Sequence, residues 1–171
     1  PDKRFVDTIK CEKNGRFHLI REQGNFSSVT LLFENKSRWI TLYPESGEKV
    51  SLSGDIQIPE LLEIKGGDIN DKLTAFYKGQ SSLIKERALL QQKLNAGPDS
   101  LVTDETTTTS KLINVNHQLQ EKAESYIRKN PSEAASVVLI YRFFRNNEDT
   151  RLLDEFLALL EPSLKDFFLV K

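Results

Sequence analysis

The chain has no methionine, one cysteine, one tryptophan and two histidines in 171 residues. Charge of one sign is also missing: 24 Lys and Arg face 25 Asp and Glu, a formal net charge of −1. One cysteine cannot close an intrachain disulfide, nor supply the thiol pair that a dithiol–disulfide enzyme needs. Balanced charge leaves no electrostatic footprint for nucleic acid or an anionic membrane surface. Long apolar runs are absent too. The longest, residues 134–141, is interrupted by Ser136 and followed by Arg142, well short of the ~18 residues of a transmembrane helix. No direct membrane insertion is expected. Pro1-Asp2-Lys3-Arg4 has no apolar stretch behind its charges and does not read as a signal peptide. Without an initiator methionine, the chain reads as a piece of something longer.

What is present is the composition of a soluble globular protein, 38% hydrophobic and 29% charged. The pattern changes near residue 67. Before it, Phe5, Ile9 and Cys11 alternate with polar neighbours, and Asn14-Gly15 offers a tight turn before Phe17 and Leu19. Val29, Leu31 and Phe33 follow, then a break at Asn35-Lys36 and the apolar run 38–43. Pro44-Glu45-Ser46-Gly47 reads as another turn, leading to Val50 and Leu52 and then Gly54-Asp55. A last strand over 61–64 ends at Gly66-Gly67. Short strands without intervening helices predict an antiparallel meander, because parallel crossovers would need helices between them.

After residue 67 the period becomes helical. Leu73, Phe76, Leu83, Leu90 and Leu94, with Tyr77 and Ile84 beside them, predict a helix over 68–95, stopped by Gly97-Pro98. Straight, it would be about 42 Å long, against about 40 Å for a compact domain of this length. It therefore spans the molecule or bends at Gly79. Residues 97–110, with four consecutive threonines, read as a mobile loop. Leu112, Val115, Leu119, Ala123 and Tyr126 mark a second helix ending near Asn130. Asn130, Pro131 and Glu133 predict a capping box for a third helix over 134–144, apolar nearly all round and hence central. Arg142 and Arg145 complement its C-terminal dipole. A fourth helix is expected over 150–160, stopping at Glu161-Pro162. The fold class is thus α+β: a β-meander or small sandwich of about five to six strands over 1–67, then a four-helix region over 68–171 packed against it. Together the two halves should make one structural domain.

A search for chemistry returns no catalytic, cofactor-binding or metal residue. Cys11 reads as an inert, half-buried strand residue. His18 and His117 stand apart, with no partner at ligand spacing and no Cys/His cluster. No Gly-x-Ser-x-Gly elbow, phosphate-binding glycine loop or calcium loop occurs. Asn25-Phe26-Ser27 and Asn35-Lys36-Ser37 match the glycosylation triplet, a pattern too short to carry weight. Trp39, Tyr43, Phe76, Tyr77, Phe143, Phe144, Phe167 and Phe168 fall mostly on predicted core faces, so packing explains them better than a sugar platform. The 25 carboxylates could bring an acid/base pair together in space, but no spacing selects one.

Several local patterns nevertheless occur in a familiar order. Val6-Asp7-Thr8-Ile9 runs into Lys13-Asn14-Gly15-Arg16-Phe17. Trp39-Ile40-Thr41-Leu42-Tyr43-Pro44-Glu45-Ser46-Gly47-Glu48 precedes Val50-Ser51-Leu52-Ser53-Gly54-Asp55. Ile64-Lys65-Gly66-Gly67 comes before Asn70-Asp71-Lys72-Leu73, and Tyr126-Ile127-Arg128-Lys129-Asn130-Pro131 leads into an alanine-containing helix. In this order the chain resembles, from about residue 6 to 170, the uncharacterised N-terminal domain that precedes a thioredoxin-like domain in certain Gram-negative envelope proteins. Those are thiol–disulfide oxidoreductases of the TlpA/ResA type, many carrying a lipoprotein signal. The family usually begins with one further strand, and its Cys-x-x-Cys domain would lie beyond Lys171. The resemblance implies a periplasmic or cell-envelope location, lipid-anchored in the full-length protein, and no cofactor in this part. It also implies a downstream thioredoxin-like domain as partner, with a homodimer or an envelope protein as further partners. No catalytic residue is carried over. The expected function is a non-catalytic accessory domain for docking, spacing or dimerisation. The alternatives are a stand-alone protein- or ligand-binding module of the envelope and, less favoured, an enzyme built on a carboxylate pair. The final residues, 162–171 with Phe167-Phe168, are expected to lead into the next domain and to expose apolar surface without it.

Overall fold

A computed structural model describes residues 7–13, 15–19, 28–33, 38–45, 47–96, 105–146, 150–167 and 169–170. It is α+β, with two small antiparallel sheets and five α-helices among those residues. Strands β1 (Val29–Phe33) and β2 (Arg38–Leu42) pair with Val29 opposite Leu42 and Leu32 opposite Trp39. Strands β3 (Ser51–Ser53) and β4 (Glu63–Lys65) pair through Leu52 and Ile64. The helices are α1 (Asp68–Gly79), α2 (Ser81–Asn95), α3 (Glu105–Lys129), α4 (Ala134–Phe144) and α5 (Arg151–Leu159).

Alternation makes the two sheets. Leu31, Phe33, Ile40 and Leu42 share one face of the first hairpin and pack on Val50, Leu52, Leu62 and Ile64. Burying each of Ile40, Leu42, Leu62 and Ile64 contributes about 1.5–3 kcal/mol before the cost of ordering. The expected five to six strands are not formed: the described strands are four, in two separate pairs. Residues 7–13 and 15–19 belong to no strand. Among the described residues no strand pairs with them, and within them only Ile9 and Phe17 are half-buried. The turn itself does form: Glu12 N–H donates to the Arg16 carbonyl at 2.7 Å, and Gly15 takes φ 79°. Phe5, Asn14 and the Asn35-Lys36 break lie outside the described residues. The last strand is shifted, because Leu61 belongs to a 3-10 turn, Pro59–Leu61, that runs up to β4.

The predicted 68–95 helix is two helices, so the described residues of the helical region form five rather than four. The chain breaks at Gly79 and Gln80, where the Gln80 N–H turns back to the Tyr77 carbonyl at 3.0 Å. The break lets both pieces keep their apolar faces on one core: Leu73, Phe76 and Tyr77 from α1, and Ile84 and Leu90 from α2. Helix α3 begins at Glu105, so residues 105–110 are helical rather than loop; residues 97–104, with the Gly97-Pro98 stop, lie outside the described set. Helix α4 is the centre, with seven of its eleven residues buried. The C-terminal segment folds back: Leu164, Phe167, Leu169 and Val170 pack on this core instead of standing free. Phe168 is outside the described residues.

The capping box expected at α4 is not made. Asn130 faces backwards, its side-chain N–H donating to the Tyr126 carbonyl at 2.9 Å at the end of α3. Its own carbonyl accepts the Ser136 hydroxyl at 2.7 Å. Glu133 is claimed by two other elements, Tyr126 Oη at 2.5 Å and Lys72 Nζ at 3.2 Å. The Asn130 N–H that a capping box would use already donates to the Tyr126 and Ile127 carbonyls, at 3.0 and 3.2 Å.

A buried joint and an arginine cluster

The strand half and the helical half meet at a polar joint built around Asn70. Gly66 and Gly67 take φ 106° and 86°, a backbone turn that L side chains rarely adopt. A Cβ on Gly66 would lie 2.2 Å from the Lys49 carbonyl oxygen. This turn delivers Asn70, 1% exposed, against the end of β2. Its Oδ1 accepts the Tyr43 N–H at 2.9 Å, and its Nδ2 donates to the Tyr43 carbonyl at 2.9 Å and the Gly66 carbonyl at 2.7 Å. Glu45 Oε1 accepts the Asp68 N–H at 2.9 Å, so the first hairpin caps α1 from a distance. Thr74 both donates to and accepts from the Ile64 backbone, at 2.9 and 3.2 Å. A threonine side chain thus satisfies one strand edge of the small sheet.

Beside this joint, residues from five elements converge. Glu60, on the 3-10 turn, accepts at one oxygen from Arg87 of α2 at 2.8 Å and Arg142 of α4 at 3.3 Å. The Arg142 guanidinium lies 5.1 Å from the Tyr77 ring centre and 6.0 Å from that of Trp39, within cation–π range. Tyr77 Oη is buried with no hydrogen-bond partner, although the guanidinium lies against it. Burial, with Tyr77 as neighbour, pushes the Tyr43 hydroxyl up to about 12, and burial likewise raises Tyr77. Two guanidiniums sharing one carboxylate leave the cluster with a net positive charge and more donors than acceptors. Chemically it can bind an anionic oxygen group. It has no nucleophile and no free acid/base pair.

The residues weighed for chemistry in the sequence are scattered. Cys11 is exposed, not half-buried, and lies in no strand. His117 does have a carboxylate at helical spacing that the sequence reading passed over: Glu121 Oε1 lies 3.5 Å from Nδ1, on an exposed face. His18 is exposed. Among the described residues no group of three His, Cys, Asp or Glu could hold a metal ion. Carboxylate neighbours occur as Asp68 with Glu133 and as Glu124 with Glu155, each pair bridged by a cation, Lys72 or Arg128. An open depression beside Glu105, Thr106, Thr109 and Ser110 offers one carboxylate. Of the aromatic set, Tyr43, Phe76, Tyr77 and Phe144 are core residues, Phe143 and Phe167 are half-buried, and Trp39 is 53% exposed. The arginine cluster was missed in the sequence; Glu60 and Arg142 are 82 residues apart, and no local signal joins them. No helix among the described residues is long and apolar enough to cross a membrane.

Comparison of the chain with protein-family models, with curated proteins and with solved structures finds no match.

Proposed function

We propose that the chain is a non-catalytic accessory domain of a periplasmic thiol–disulfide oxidoreductase-like protein, serving to dock, space or dimerise. The observation behind this reading is what its motifs do in the fold. The Tyr43-Pro44-Glu45, Ile64-Lys65-Gly66-Gly67 and Asn70-Asp71 segments spend their polar groups on the joint between sheet and helices. The Tyr126 to Pro131 segment likewise closes the α3–α4 turn. These are the segments whose order resembles the domain preceding thioredoxin-like domains, and they build a frame rather than a site. The redox step of the parent then belongs to a downstream Cys-x-x-Cys domain, in the periplasm or on a lipid anchor.

The test is the parent reading frame. A leader upstream and a Cys-x-x-Cys domain downstream support the proposal; a stop codon directly after Lys171 removes its main premise. A second reading, a stand-alone binding module, is favoured by one observation: a half-exposed tryptophan beside the Arg142 guanidinium.

A further inference from the structure

We propose that the outer face of the β1–β2 hairpin and the C-terminal end of α4 together dock an acidic peptide segment that carries an apolar side chain. This deepens the docking role proposed above and rests on that role alone, not on which domain adjoins the chain. Two features define the surface. The first is apolar: Leu32 and Trp39 stand directly opposite each other on the hairpin, 59% and 53% exposed. Paired strands ordinarily turn polar residues to solvent, as the next pair does, where the Thr30 and Thr41 hydroxyls lie 3.1 Å apart. The second is electrostatic. Arg142 reaches from α4 over the Trp39 ring. Arg145 follows it by three residues, hence on the same side of the helix, and donates to the Tyr141 hydroxyl with its guanidinium 4.5 Å from that ring centre.

Arg87 and Arg142 share the single carboxylate of Glu60, and Arg145 adds a third guanidinium at the end of α4, against Tyr141. Each guanidinium carries about five N–H donors, and Glu60 takes one from Arg87 and one from Arg142. The buried Tyr77 hydroxyl lies against the Arg142 guanidinium but makes no hydrogen bond of good geometry. Donors remain for an incoming acceptor, and carboxylates are the groups that match arginine geometry. In a chain of net charge −1, this concentration of positive charge is local. A free carboxylate would leave Leu32 and Trp39 uncovered. A second copy of the chain would bring the same arginines face to face across a two-fold axis, which like charge opposes. A segment with Asp or Glu flanking a Leu, Ile or Phe satisfies both features.

Panning a random-peptide display library on the intact chain tests this. Trp39 is the sole tryptophan, so its emission reports occupancy of the surface directly. The expected result is enrichment of acidic peptides around one large apolar residue, whose binding shifts Trp39 emission and weakens with salt. Leu32→Ser and Arg145→Gln, both at exposed positions, should each weaken binding by at least about fivefold with unchanged melting temperature. Arg142→Gln should do the same, and its folding is checked separately because it touches Tyr77. The proposal is overturned if no acidic peptide is enriched, or if Leu32→Ser and Arg145→Gln bind as the wild type does. It is also overturned if free succinate shifts Trp39 emission at the concentrations that suffice for the peptides. A dimer that dissociates on Leu32→Ser would assign the surface to a second copy, and likewise overturn it.

Discussion

Replacing Asn70 by alanine removes one side chain that makes three hydrogen bonds in a 1%-exposed position. The substitution takes away the Asn70 partner of the Tyr43 N–H, the Tyr43 carbonyl and the Gly66 carbonyl. Losing a buried partner costs about 1–3 kcal/mol, so removing three bonds at one site should cost about 3 kcal/mol. That is a large fraction of the roughly 5–15 kcal/mol by which native domains are stable. Urea unfolding at 25 °C should show the midpoint falling with the slope unchanged. Asn70→Leu separates hydrogen bonding from packing: it refills most of the volume but restores no partner, so its loss should equal that of the alanine variant. Asn70→Asp adds a signed pH effect. Its buried carboxylate would face two carbonyl oxygens, which raises its folded pKa above the unfolded value of about 3.9. Stability gained by the protonated form is then present at low pH and lost as pH rises through the folded pKa. Relative to wild type, the Asp variant should therefore recover towards pH 4. A loss below about 1 kcal/mol for Asn70→Ala, or full rescue by Leu, would refute the view that polar groups hold the joint.

Gly66→Ala should unfold the chain or cost more than about 2 kcal/mol, since the new Cβ meets the Lys49 carbonyl at 2.2 Å at φ 106°. Gly15→Ala, at φ 79° in open space, should cost only about 1 kcal/mol; equal effects in urea titrations would count against the close approach. Alkaline pH should destabilise the fold. Tyr43 is pushed up to about 12, burial raises Tyr77, and burial with the Glu133 hydrogen bond raises Tyr126. From about pH 10 upwards the unfolded chain loses phenolic protons that the folded chain keeps, so stability falls by up to about 1.4 kcal/mol per pH unit for each such tyrosine. Melting temperatures that stay flat from about pH 9 to 11.5 would contradict this. Tyr77→Phe, which deletes a buried hydroxyl without a partner, should leave stability within about 0.5 kcal/mol of wild type or raise it, and should flatten the alkaline slope.

Local signals in the sequence placed much of the frame. Helical spacing found the buried faces of α1 to α4, and the apolar girth of residues 134–144 put α4 at the centre. Glycine marked the turns: Gly15, Gly47, Gly66 and Gly67 all take positive φ, and Gly79 sits where the long helix breaks. Where an outcome depends on a distant partner, local pattern misleads. The alternation at Ile9 and Cys11 shows that a strand could form there, yet nothing in it supplies a sheet to bury against. Glu133 has the spacing of a capping box, but Lys72 and Tyr126 take its carboxylate. Trp39 has core composition on the outward side of a two-stranded hairpin. The arginine cluster draws on Glu60, Arg87 and Arg142 from three elements, and Asn70 gains its meaning only once the end of β2 is in place.

The proposed role is to position a redox partner without taking part in its chemistry. Thiol–disulfide exchange with a small dithiol, measured for the full-length parent protein and for a form lacking residues 7–170, tests it most directly. Equal rates within about twofold are expected, a difference of roughly 0.4 kcal/mol in barrier. A drop of about a hundredfold or more, roughly 2.7 kcal/mol, would place a catalytic group inside this chain and contradict it.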